Sequence, residues 1–270
     1  MDGGQTIPLD TDRMIGRIEG PIGWMTFNNP ERRNAVSLEM WQGMAALLEH
    51  FEQESAVRVV VLRGAGQRAF VAGADISQFE QQRSSPETIA AYDRISKRAG
   101  DLLASCSKPT IAMIHGYCIG GGLGIAVGCD LRIADETAKF GIPAARLGLG
   151  YDAPGVKKLM DVVGPAYTKD IFFTARHFSA AEALTMGLVN WVVPEAELEG
   201  QVRSYCATIA DNAPLTMRAL KRTVAELSKA SSKVDYEACA RWVAECFASQ
   251  DYIEGRRAFM EKRRPQFRGE

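Results

Sequence analysis

The sequence has no CxxC pair among its six cysteines and almost no net charge. It also has no uninterrupted apolar run near the roughly 20 residues that a membrane-spanning helix needs. Each absence excludes something. Cys106, Cys118, Cys129, Cys206, Cys239 and Cys246 stand singly, several of them within apolar runs. That placement predicts buried free thiols rather than disulfides or a zinc site. With 32 basic and 33 acidic residues the net charge is -1, which argues against general nucleic-acid binding and leaves only a local basic patch open. The opening MDGGQTIPLD carries acids and no apolar core, so no signal peptide is expected. No internal repeat or low-complexity segment stands out. These features predict a soluble protein of a reducing compartment, the cytoplasm.

What is present is enough to build a large core: 46% of the 270 residues are apolar. Residues 14–19 and 22–27 read as two short strands joined at Gly20-Pro21. From Ser37, Met40, Met44, Leu47, Leu48 and Phe51 recur at helical spacing through Gln53. The β-branched run 58–62 (RVVVL) predicts a buried strand, and 86–105 a helix. A strand at 109–114 and a glycine-opened helix follow, so the order implies an α/β fold with helices covering a sheet. Beyond Pro165 the segments 166–174, 179–187, 195–211, 214–229 and 234–250 read as helices, with one strand near 191–193. The expected division is a core over 1–190 and a helical tail over 191–270. The last fifteen residues, RRAFMEKRRPQFRGE, hold six basic ones, either a solvated helix face or a contact for an anion.

Two glycine turns compete for the chemistry. Residues 64–69 fit GxGxxA after a strand, as a dinucleotide fingerprint does. The required helix does not follow, because FVAGADI (70–76) holds β-formers and another glycine, and the strand is the third rather than the first. The better account pairs FVAGADI with HGYCIGGGLG (115–124). Each offers small residues and free backbone N–H groups where a strand gives way to a helix. Two such groups converging on one oxygen make an oxyanion hole for a thioester or ester enolate, in which one donor typically contributes roughly 10²–10³ in rate.

Six segments then carry a resemblance over nearly the whole chain: NNPERRNAVS (28–37), AFVAGADI (69–76), 108–135 around the glycine triplet, AKFGIPAARLGLGYDAPG (138–155), TARHFSAAEALTMGLVNWVVP (174–194) and EGRRAFMEKRRPQF (254–267). In these the chain resembles the enoyl-CoA hydratase/isomerase (crotonase) superfamily. The resemblance implies a spiral of ββα units, a C-terminal helical trimerisation region, and a homotrimer or a homohexamer of two trimers. It implies an acyl-CoA thioester as substrate, coenzyme A being part of that substrate, with no separate cofactor and no metal. By position, the oxyanion-hole amides are those of Ala74 and Gly121. Arg32 and Arg33 fall near the coenzyme A phosphates, and Ala35, Ala72 and Ile76 near its adenine and pantetheine. Phe259 and Lys262 complete the nucleotide pocket from the tail, that of a neighbouring subunit included.

The chain departs from that pattern at the two positions where hydratases of the family carry glutamates. One lies two residues after the third glycine and the other follows the proline of the FGxP stretch. Here they are Gly124 and Ala144. A glycine and an alanine neither hold a water nor move a proton, a contribution commonly worth roughly 10²–10⁴. What is left binds an acyl-CoA and stabilises its enolate, which suits decarboxylation of a malonyl-type thioester. Arg146, Tyr151 and Asp152 are the replacement groups nearby, and some decarboxylases of the superfamily carry a tyrosine at the place of Tyr151. Arg146 can bind a carboxylate in bidentate fashion, Tyr151 can orient one or deliver a proton, and Asp152 can serve as a base. Each also has a purely structural alternative: pocket lining, a surface ion pair, and a turn before Pro154. His115 and Asp75 are expected to be structural. Two further readings stay open: a hydratase or isomerase with relocated groups from 78–98 (Glu80, Tyr92, Asp93), and a non-catalytic acyl-CoA-binding protein.

Overall fold

The computed structural model describes residues 4–74 and 86–270. Its main sheet has seven strands in the order β1-β2-β3-β4-β6-β8-β11. These are β1 (Gln5–Ile7), β2 (Met14–Glu19), β3 (Ile22–Phe27), β4 (Val59–Gly64), β6 (Thr110–Ile114), β8 (Leu131–Asp135) and β11 (Trp191–Val193). The first three pair antiparallel and the rest parallel. A second sheet, ordered β10-β9-β7-β5, comprises β5 (Ala69–Ala72), β7 (Tyr117–Ile119), β9 (Lys139–Gly141) and β10 (Phe178–Ser179).

The chain alternates between the sheets. Each turn of the spiral is a strand of the main sheet, a strand of the small sheet, then helix. β4 and β5 lead to α2 (Pro86–Ser105), and β6 and β7 to α3 (Gly121–Gly128). β8 and β9 lead to the short α4 (Ala144–Leu147) and to α5 (Ala153–Thr174). α1 (Leu38–Gln53) precedes them, started by the Ser37 side chain, which accepts the Met40 N–H. This is the expected α/β spiral of ββα units.

Alternation along the main strands feeds two cores, because successive side chains face opposite sides. Val60 and Leu62 join Phe27, Met44, Leu47 and Phe70 on one face, beneath α1. Val59 and Val61 join Trp24, Ile111 and Ile133 on the other, where Leu198, Val202 and Cys206 of α7 (Leu198–Ala210) cover them. Cys106, Cys118, Cys129 and Cys206 are buried and free, and Cys239 and Cys246 are half-buried and free. Burial pushes the Cys106 thiol up to about 11 and that of Cys206 to about 12.

Three readings of the sequence need correction. The small sheet was hidden: strand β5 follows the 64–68 turn, and the stretch 115–119 holds β7. The helix read from 166 begins at Ala153, with a break at Gly164, whose φ is +75° beside Pro165. After α6 (Ala180–Thr185), α7, α8 (Pro214–Leu227) and α9 (Tyr236–Ala248) comes a further helix, α10 (Gln250–Met260). Among the described residues, no helix is long and apolar enough to cross a membrane.

Candidate functional site

Strands β5 and β7 run parallel, and their last pair is Ala72 with Ile119. Beyond that pair the two chains stay together. A Cβ placed on Gly121 would lie 3.9 Å from the Gly73 carbonyl carbon, the nearest described atom. The Gly73 carbonyl accepts the Val36 N–H at 2.9 Å. No peptide bond among the described residues is cis, so the Ala74 N–H of that same peptide unit points away from Val36. Gly121 opens α3, where no helical carbonyl lies four residues behind it. The two amides therefore belong to adjacent chain segments, one at a helix start that carries partial positive charge.

The glycine triplet serves two structural needs besides. Gly120 has φ +56° and ψ -118°, which a side chain resists, and its own N–H is tied to the Gly141 carbonyl at 2.8 Å. A Cβ on Gly122 would sit 2.0 Å from the Val71 carbonyl oxygen, so only glycine lets α3 close on β5.

The loop of 28–37 is fastened beside this pair. The Ala72 N–H donates to the Arg33 carbonyl at 3.0 Å, and Val36 bridges Ala74 in parallel. Arg32 and Arg33 are exposed, Ala35 is buried, and the Arg33 guanidinium stacks over the Tyr117 ring at 4.9 Å. Thus Arg32, Arg33, Ala35, Ala72, Ala74 and Gly121 come together. Asn34 fixes the loop, a role the sequence reading missed. Fully buried at φ +56°, it donates to the Ala69 and Ala65 carbonyls at 2.7 and 3.0 Å and accepts the Asn29 N–H at 2.9 Å. The available signal was an asparagine in a turn-rich stretch, a residue that tolerates the left-handed region. Ile76, Asp75 and Glu80 lie outside the described residues.

α4 and α5 both pack at this end: α5 lies against α3 and against α4. Gly124 is exposed on α3, and no described atom lies within 4 Å of a Cβ placed there. Ala144, at 4% exposure, is buried at the first position of α4. Arg146 is exposed in α4, and no ion pair joins it to a described residue. Tyr151 sits in the link between α4 and α5 at 41% exposure, its ring edge-on to Phe172 at 5.0 Å. Burial of the phenol raises its pKa, so at neutral pH it stays a proton donor. Asp152 caps α5, its carboxylate accepting the Gly155 N–H at 3.1 Å. Tyr92 is buried, with its hydroxyl accepting the Trp41 indole N–H at 2.9 Å, and Asp93 is exposed. His115 belongs to the opposite face of the main sheet.

Phe259 and Lys262 are not drawn into this group within one chain. Phe259 is 82% exposed in α10, and Lys262 follows that helix with φ +54°.

A spiral of ββα units with two glycine-bearing strand ends held side by side defines the crotonase-type α/β fold. Solved structures share it. An enoyl-CoA hydratase/carnithine racemase from Magnetospirillum magneticum superposes with TM-score 0.89 at 35% identity, covering 97% of each chain. A putative enoyl-CoA hydratase/isomerase family protein from Hyphomonas neptunium gives 0.89 at 36%, covering 94% of this chain and 97% of the other. In sequence, the short-chain-enoyl-CoA hydratase of Clostridium acetobutylicum is 32% identical over 256 residues, 95% of this chain and 97% of that protein. The enoyl-CoA hydratase/isomerase family model matches residues 17–270, and the chain belongs to that family.

Proposed function

We propose that the chain is an acyl-CoA enzyme whose Ala74 and Gly121 amides hold a thioester carbonyl while it becomes an enolate, and that it decarboxylates a malonyl-type thioester. In that reaction the bond from the α-carbon to the carboxylate breaks and CO₂ leaves. The electron pair passes into the thioester enolate, and a proton then adds to the α-carbon. Two donors on the enolate oxygen supply the main stabilisation such a step needs. The observation that carries the choice is the pair Gly124 and Ala144, neither of which can hold a water or transfer a proton. Tyr151 is a protonated phenol for the α-carbon and Arg146 a guanidinium for the departing carboxylate. Arg32, Arg33, Ala35 and Ala72 line the loop on which coenzyme A would lie.

The test is a screen of the purified chain against malonyl-, methylmalonyl-, crotonyl- and aromatic acyl-CoAs, with products followed by mass. CO₂ release from a malonyl-type thioester, abolished by Tyr151→Phe or Arg146→Ala, supports the reading. Tight binding with no turnover of any thioester would make the chain a binding protein instead. The names of its relatives favour a second reading, hydration or isomerisation with relocated acid–base groups, and normal hydration of crotonyl-CoA would establish that one. The apolar side chains that α8–α10 leave exposed, among them Leu220, Val224, Phe247 and Phe259, support assembly as a homotrimer or homohexamer. A monomer mass by light scattering at micromolar concentration would contradict that assembly.

A further inference from the structure

The Arg33 side chain is exposed, and no hydrogen bond or ion pair joins its guanidinium to a described residue. Its backbone, by contrast, is pinned on both sides. Arg33 has φ +52°, its N–H donates to the Pro30 carbonyl at 3.0 Å, and its carbonyl accepts the Ala72 N–H at 3.0 Å. A single ring directs the side chain from there. The guanidinium carbon stands 4.9 Å from the centre of the Tyr117 ring. That ring is braced in turn by His177, edge-on at 5.8 Å.

Tyr117 opens β7, and alternation gives it and Ile119 the same half-buried face, while Cys118 between them is turned into the core. Gly121 follows four residues after Tyr117, at most roughly 13 Å away at strand spacing. The guanidinium is thus held within the reach of the pantetheine arm that separates a coenzyme A thioester from its phosphates. The charges on this face suit an anion. Lys139 pairs with Tyr117 in register on β9 and is exposed. Glu182, which reaches the neighbouring β10 residue Ser179, is taken by Arg176 at 2.7 Å. A guanidinium without a carboxylate partner offers a phosphate two parallel N–H groups. A flexible arginine loses rotamer freedom when a phosphate fixes it, whereas one already resting on a ring has lost part of that freedom beforehand.

We propose that Tyr117 is a positioning residue for coenzyme A binding: its ring holds the Arg33 guanidinium where a phosphate of the coenzyme meets it. This rests on the acyl-CoA reading of the site but on no particular reaction there. The test is calorimetric titration of the full chain with coenzyme A, in a double-variant cycle. Tyr117→Ile, a strand-forming residue without a ring, should bind about two- to fivefold more weakly. Tyr117→Phe keeps the ring and should restore wild-type affinity. Arg33→Ala should lose roughly tenfold, and adding Tyr117→Ile to it should cost nothing further, because the ring acts only through the guanidinium. Tyr117→Leu takes the place of Tyr117→Ile in the cycle if the latter does not fold. Additive losses would mean that Tyr117 merely supports the small sheet, and would overturn the positioning role. Wild-type affinity in the ring-less variant, or a Tyr117→Phe variant as weak as that one, would overturn it too. A wild type that does not bind coenzyme A at all would overturn the acyl-CoA reading along with it.

Discussion

Ala74 and Gly121 occupy matching positions, each two residues beyond the Ala72–Ile119 pair that ends the parallel pairing of β5 and β7. Gly121 is also the first residue of α3, the one helical position where proline is well tolerated. Gly121→Pro should therefore delete the N–H while leaving the helix formed. The expected result is a kcat lower by roughly 10²–10³ on any thioester the wild type turns over. Gly121→Ala keeps the N–H, and its Cβ meets no described atom closer than 3.9 Å, so it should retain most activity. Equal losses in the two variants would mean that bulk, and not the donor, is what matters. Gly122→Ala supplies the opposite contrast, since its Cβ would strike the Val71 carbonyl at 2.0 Å. It should lose roughly 1–3 kcal/mol of stability in denaturant melts.

Asp152 has a structural role that must be separated from a chemical one. Its carboxylate caps α5 through the Gly155 N–H. Asparagine caps as well as aspartate does, so Asp152→Asn should keep the melting temperature, whereas Asp152→Ala should cost about 1 kcal/mol. If Asp152→Asn retains full turnover, the residue is a cap and nothing more. A large loss of kcat at unchanged stability would instead identify it as a proton-transfer group.

How far the sequence reached is clear from particular elements. Strand β2 was legible because buried positions alternate with more exposed ones along six residues, and β3 because its six buried residues form a short run bounded by turn residues. The strands of the small sheet have two to four residues each, too few for any period to show. They are held by pairing with one another, which is a long-range fact. The first half of α5 was masked by Gly164-Pro165, which locally reads as a terminus. At the site, the two turns were legible because small residues cluster there. The work of Asn34 was not, since its partners Ala65 and Ala69 lie 31 and 35 residues away.

Acid should act on stability through His115. Burial holds its folded pKa below the ordinary 6.5, so between those two values the unfolded chain binds a proton that the folded chain does not. Stability is then fully present above about pH 6.5 and falls as the pH drops below it. His115→Gln removes that titration. The difference in melting temperature between pH 7.5 and pH 5.5 should be smaller in the variant than in the wild type. An identical pH dependence in both proteins would show that His115 titrates alike in the folded and unfolded states.

The last expectation concerns hydration and follows from Gly124 and Ala144. Without carboxylates at those two places, hydration of crotonyl-CoA should be several hundredfold slower than in a two-glutamate hydratase, on the order of the acid–base contribution. Restoring both, Gly124→Glu with Ala144→Glu, should raise it. A glutamate in place of a glycine carries a general risk of overpacking. The structure moves that risk to the other position. No described atom lies within 4 Å of a Cβ at 124, while Ala144 is 4% exposed against the first turn of α4. A carboxylate buried at 144 without a partner costs stability, so the double variant should melt lower than Gly124→Glu alone. Crotonyl-CoA hydration followed by the loss of enoyl absorbance, in wild type, each single variant and the double, decides the issue. Gain only in the double variant would show that the groove still places a water between the two restored carboxylates. A wild type already hydrating at a normal rate would mean that other residues have taken over the acid–base work, with Tyr151→Phe the first variant to assay.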